Sequence, residues 1–86
     1  MNIQTPTIYV LPEPYQGFIR LDSIYSAFSA EADQQHDIKD RVIIRYGIET
    51  GHQSDMVIDC PDFETASKRA NEIRRMVENL DESRNK

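Results

Sequence analysis

The sequence predicts an α+β domain, a small antiparallel β-sheet of about four to five strands packed on one face by a C-terminal amphipathic helix. Three observations predict it. Apolar residues recur at helical spacing from Phe63 to Leu80, two alternating runs precede them, and a short glycine-containing connection joins those runs.

From the N-terminus, residues 7–11 form a short β-prone run that stops at Pro12-Glu13-Pro14, since proline cannot donate to a central ladder. Residues 18–21 read as a second strand. Residues 23–30 fit two descriptions. As a strand after a kink near Asp22, they place Ile24, Ser26 and Phe28 on one side. As an extra helix within 22–35, Leu21, Ile24, Tyr25, Phe28 and Ala32 share a face, with Asp22 as cap and Ser23, Ser26 and Ser29 outward. Periodicity leaves both open. Residues 31–40 are polar and acidic and read as a loop, or a helix end followed by a loop.

Residues 41–49 alternate cleanly, with Val42, Ile44, Tyr46 and Ile48 on one face and Arg41, Ile43, Arg45 and Glu49 on the other. Residues 55–60 set Met56, Ile58 and Cys60 against Asp55, Val57 and Asp59. Between them, Thr50-Gly51-His52-Gln53-Ser54 has the length and glycine content of a hairpin connection.

The helix follows at once. Phe63, Ala66, Ala70, Ile73, Val77 and Leu80 are spaced 3, 4, 3, 4, 3 and fall on one stripe. Pro61 precedes it, Asp62 can accept its first free N–H groups, and Glu64 suits the positive end of its dipole. Residues 81–86 and 1–6 lack apolar anchors and are expected to fray. The whole chain, 1–86, reads as one domain.

One helix covers one side of such a sheet. Ile43 and Val57 point to the other side, with Arg41 and Arg45 beside them, and these residues are the expected partner interface. An open antiparallel sheet leaves a face in water only if that face is polar. Segments 7–11 and 18–21 could fold over it, or a second subunit could; the subunit is the expectation. A chain of 86 residues buries only roughly 60–65% of its unfolded surface, which also favours self-association.

Composition narrows the function classes. With 38% apolar and 29% charged residues the chain is foldable. A net charge of −5 opposes broad, charge-driven binding to nucleic acid or anionic lipid. Cys60 is the single cysteine, so no internal disulfide forms, which fits a reducing compartment. The N-terminus has no basic region, and the apolar run 8–11 is too short for a signal or membrane segment. A cytoplasmic protein without membrane contact is expected.

Catalytic and ligand-binding patterns are sparse. Gly17, Gly47 and Gly51 are scattered, so they build no phosphate loop. Cys60 has no second cysteine for redox or zinc chemistry and suits a small buried apolar position. His36 lies near Asp33, Asp37 and Asp40, but their spacing matches no metal-ligand pattern, and a solvated loop explains them. His52 reads as a turn residue. The pairs Asp55 with Asp59 and Asp59 with Asp62 lack the apolar surroundings that general acid–base work requires. No catalytic residue, cofactor or metal is expected.

Two charge readings compete. Arg41, Arg45, Lys68 and Arg75 could form a local basic face for nucleic acid, although Glu64, Glu72 and Asn79 are interleaved on the helix. Glu64 with Lys68 and Arg74 with Glu78 are instead i,i+4 pairs of a solvated face. Alternatively, Glu31, Asp33, Asp37, Asp40, Asp55, Asp59 and Asp62 could mimic DNA, diluted by Lys39, Arg41 and Arg45. The leading expectation is a non-enzymatic protein–protein interaction module, a small regulator or inhibitor acting as a homodimer. The alternatives are a nucleic-acid-associated regulator and an acidic DNA-mimic inhibitor.

Overall fold

The computed structural model describes residues 5–48 and 51–84. Strand β1 (Ile8–Val10) pairs antiparallel with β2 (Phe18–Arg20), and Tyr9 faces Ile19. Strands β3 (Ile24–Ala30), β4 (Arg41–Gly47) and β5 (Gln53–Asp59) form an antiparallel sheet in that order. Helix α1 (Phe63–Arg84) follows. The α+β class and the C-terminal helix are as the sequence predicts. The strands, however, divide into two sheets of two and three rather than one.

The division has a local cause. The Leu21 N–H donates to the Thr7 carbonyl at 3.0 Å and closes the N-terminal hairpin. A 3₁₀ turn, Leu21–Ser23, then redirects the chain into β3, the kink expected near Asp22. Ser23 Oγ donates to the Arg20 carbonyl at 2.7 Å and holds the turn.

The strand description of 23–30 is therefore the one realised, with a change of face. Ile24 pairs with Tyr46, but Ser26 pairs with Arg45, so Tyr25 is an extra residue in β3. Such a bulge offsets the alternation that follows it. Ile24 and Ala27 turn into the core, whereas Phe28 lies opposite Ile43. Ile24, Ser26 and Phe28 do not share one side. Within 22–35 the only helical turns among the described residues are Leu21–Ser23 and Gln34–His36. The second is capped by Asp33, whose Oδ1 accepts the Gln35 N–H at 3.1 Å.

Strand β5 begins at Gln53, so Gln53 and Ser54 belong to the ladder and not to the connection. The Gly51 N–H donates to the Ile48 carbonyl at 2.9 Å, and Gly51 adopts φ 85°, a region open to glycine. Glu49, Thr50 and the terminal residues 1–4 and 85–86 lie outside the described residues.

Helix α1 starts where its sequence signals place it. Asp62 Oδ1 accepts the Thr65 N–H at 2.7 Å, and its carbonyl accepts the Ala66 N–H at 3.2 Å. The helix continues to Arg84, beyond the expected limit at Leu80. Ala66, Ala70, Ile73 and Leu80 are buried, Val77 packs against them, and Phe63 in the opening turn stays 39% exposed.

The stripe meets the expected β4–β5 hairpin chiefly through β4. It lies mainly on β3, with β4 and the Leu21 turn beneath the rest. Ala66 and Ala70 let the helix approach closely, and Ser67 Oγ reaches Ser29 Oγ at 3.2 Å. The N-terminal hairpin supplies Tyr9 and Ile19 to the same core, joining Ile58 and Cys60 of the β5 side. Helix and hairpin thus share one face of the three-stranded sheet. Among the described residues no helix is long and apolar enough to cross a membrane.

Candidate functional site

The other face of the sheet is where the expected interface residues meet. Register fixes three cross-strand rows on it. Phe28, Ile43 and Val57 form the middle row. Ser26, Arg45 and Asp55 form one flank, and Ala30, Arg41 and Asp59 the other. The Asp59 N–H points away from β4 and donates to the Tyr15 hydroxyl at 3.0 Å. The pairs Arg41–Asp59, Ile43–Val57 and Arg45–Asp55 are therefore of the non-hydrogen-bonded kind, in which opposing side chains approach most closely. Val57 is 41% exposed, while Phe28 and Ile43 are half-buried by their neighbours.

The charges on this face are ordered. Arg45 Nε lies 3.5 Å from Asp55 Oδ1, and the guanidinium sits 5.3 Å from the Phe28 ring centroid. Arg41 donates instead to the Glu31 carbonyl at 2.9 Å and the Lys39 carbonyl at 3.4 Å. Strand β4 presents cations, β5 presents anions at the same levels, and an apolar row runs between the two levels. At one end Tyr25 lies against Gly47, where any Cβ would fall 2.7 Å from the tyrosine oxygen. Only glycine leaves that ring in place.

The nucleic-acid set is not brought together. Arg41 and Arg45 are on the open sheet face, whereas Lys68 and Arg75 are on the solvent side of α1, across the core. Lys68 Nζ pairs with Glu64 at 3.2 Å. The acidic set is brought together only in part: Asp37, Asp40 and Asp59 line one depression, and Asp55 shares the open face with Asp59. Asp40 accepts the Ala32 N–H at 2.8 Å, Asp62 caps α1, and Asp33 Oδ2 lies 2.7 Å from His36 Nδ1. Among the described residues no group of three or more His, Cys, Asp or Glu side chains is placed to hold a metal ion.

Cys60 is buried, its Sγ–H directed at the Ile58 carbonyl at 3.7 Å, and burial pushes the thiol's pKa up. Burial likewise raises Tyr9, with the Arg69 guanidinium opposing the shift. The Asp62 carboxyl is held below the usual carboxylate range by the Thr65 N–H. An open depression of about 620 Å³ lies between the 31–40 loop and the end of β5, near Asp40 and Asp59.

No protein-family model, no curated protein and no solved structure matches this chain. Sequence reasoning missed Phe28 on the open face, because the signal that moves it there is a bulge. It also missed Tyr15, a loop residue that caps the edge of β5.

Proposed function

We propose that this chain is a non-enzymatic protein–protein interaction module, a small regulator or inhibitor that acts as a homodimer through the open face of its sheet. One observation carries the reading. Phe28, Ile43 and Val57 form an apolar row across three strands, and Val57 in it is 41% exposed. Apolar surface of this kind on an antiparallel sheet is stabilised by a covering layer. The chain's helix and N-terminal hairpin both lie on the opposite side.

A face three strands wide and seven residues long has a footprint of about 350 Å² per copy from strand spacing and rise. That is small for a specific interface, so the association is concentration-dependent. Sedimentation velocity across the micromolar range tests it. The dimer reading requires the weight-average mass to rise towards twice the chain mass, and a strict monomer throughout removes it. Affinity capture with the wild-type chain, against a Val57→Lys variant as control, tests for a regulated target at the same face.

A further inference from the structure

The open face carries its charges in an arrangement that selects one way for two copies to meet. Strand β4 presents Arg41, Ile43 and Arg45, and β5 presents Asp59, Val57 and Asp55 directly opposite them. On β3 the flanking positions are Ala30 and Ser26, which carry no charge. The cations and anions therefore stand in two adjacent columns, matched level by level.

We propose that the second copy docks face to face with its two-fold axis parallel to the strands and midway between β4 and β5. This rests on the homodimer reading above and specifies its geometry. In an isologous contact, residue i meets residue j and j meets i. With the axis between β4 and β5, each β4 lies over the partner copy's β5. Arg45 then meets the partner's Asp55, Arg41 meets the partner's Asp59, and Ile43 sits over the partner's Val57.

Other placements fail on charge. An axis along β4 sets each arginine against its own copy, and an axis along β5 does the same for the aspartates. An axis perpendicular to the strands at Ile43 sets Arg45 against the partner's Arg41 and Asp55 against the partner's Asp59. An axis between β3 and β4 leaves Arg45 against the partner's Ser26 and pushes both aspartates off the partner sheet. Like charges face to face suppress a contact, and complementary columns fix its register.

Reach and exposure agree with the proposed placement. Packed sheets are about 10 Å apart, a gap that an extended arginine and an aspartate span together. The Arg45 and Asp55 side chains are 53% and 49% exposed, so both can turn towards a partner. Arg41 is held by the Glu31 and Lys39 carbonyls, which leaves Arg45 and Asp55 to set the register. Phe28 falls beyond the partner's β5 and outside the contact, so this placement covers Ile43 and Val57 over a two-strand overlap of about 230 Å² per copy and leaves the Phe28 ring sheltered on one side by Arg45.

The test is a charge exchange on the full chain. Arg45→Asp and Asp55→Arg are made in separate chains, checked for folding by circular dichroism, and run in sedimentation velocity alone and mixed equally. Each alone sets like charges against each other, and its Kd is expected to rise at least about tenfold. The mixture is expected to form a heterodimer at least as tight as the wild-type dimer, weakening as salt is added. A wild-type dimer combined with no gain on mixing places the axis elsewhere and overturns this inference while the homodimer reading stands. Pairing of Arg45→Asp with wild type as tightly as with Asp55→Arg puts the axis on β4 and also overturns it. A monomeric wild type ends both. The neutral variants Arg45→Gln and Asp55→Asn provide a second route should a reversed chain not fold. Their effects on Kd are expected to be non-additive in the double variant, and simple additivity counts against the pairing.

Discussion

The Arg45 guanidinium lies 5.3 Å from the centre of the Phe28 ring, spanning from β4 to β3 across the open face of the sheet. The same guanidinium reaches Asp55 on β5, so one side chain ties together all three strands of the open face. Both contacts are solvent-facing and should be worth little to the isolated fold. Arg45→Ala is expected to lower stability by about 1 kcal/mol or less. Urea denaturation checks that, while the same variant should lose self-association in sedimentation velocity.

Val57 and Ile73 provide the sharper contrast, because one is 41% exposed and the other is completely buried. Val57→Lys should leave the fold standing, at a cost of about 1 kcal/mol or less, and abolish self-association. Ile73→Ala should cost about 2–5 kcal/mol through lost burial and a cavity. That is a large share of the roughly 5–10 kcal/mol expected of a small domain. Urea midpoints and sedimentation on both variants separate surface from core.

The Tyr15 hydroxyl accepts the outward N–H of Asp59 and so covers part of the free edge of β5. Tyr15→Phe should cost about 0.5–1.5 kcal/mol. Hydrogen exchange at the Asp59 amide should accelerate more than at Ile58, whose N–H faces β4. Equal acceleration at both would show that the hydroxyl caps nothing.

Asp62 carries a pH signature. Its carboxyl is held below the usual range by the Thr65 N–H, so its folded pKa lies below its unfolded one. The stabilisation is present above the unfolded pKa and is lost as pH falls through the folded value. Asp62→Ala should therefore be less stable than wild type at neutral pH, and the gap should close in acid. Asp62→Asn keeps an accepting oxygen and should keep its stabilisation across that range.

Cys60 should be chemically quiet. Burial raises its pKa, so thiolate is scarce at neutral pH, and the residue is only 5% exposed. Reaction with an aromatic disulfide reagent should be at least about tenfold slower than for a free thiol. The rate should rise with urea along the unfolding curve. Fast labelling of the folded chain would contradict the packing around β5.

Much of the architecture was legible because its causes are local. The spacing from Ala66 to Leu80 needs only the pitch of a helix, and all of those residues face the core. Asp62 was readable as a cap because its partner lies three residues away. Alternation in β4 and β5 placed Val42, Ile44 and Ile58 inside and left Ile43, Arg45 and Val57 on the other face. The expected interface residues Arg41, Arg45, Ile43 and Val57 do share one surface, whereas the pairing of Arg41 and Arg45 with Lys68 and Arg75 does not form. Those two pairs are carried by layers on opposite sides of the core, a separation that a helical or strand period cannot reveal.

By itself, the amino-acid order determined β4, β5 and the C-terminal helix and which face of β4 and β5 is apolar, because side-chain period and capping act over a few residues; it left 23–30 open between strand and helix. Tertiary pairing alone decided that the strands divide into two sheets and that the N-terminal hairpin joins the helix on one side. It also decided that a bulge at Tyr25 carries Phe28 to the other side. Register and bulges are properties of two strands together, set by which partner's N–H and C=O groups are satisfied, and one strand's sequence does not contain its partner.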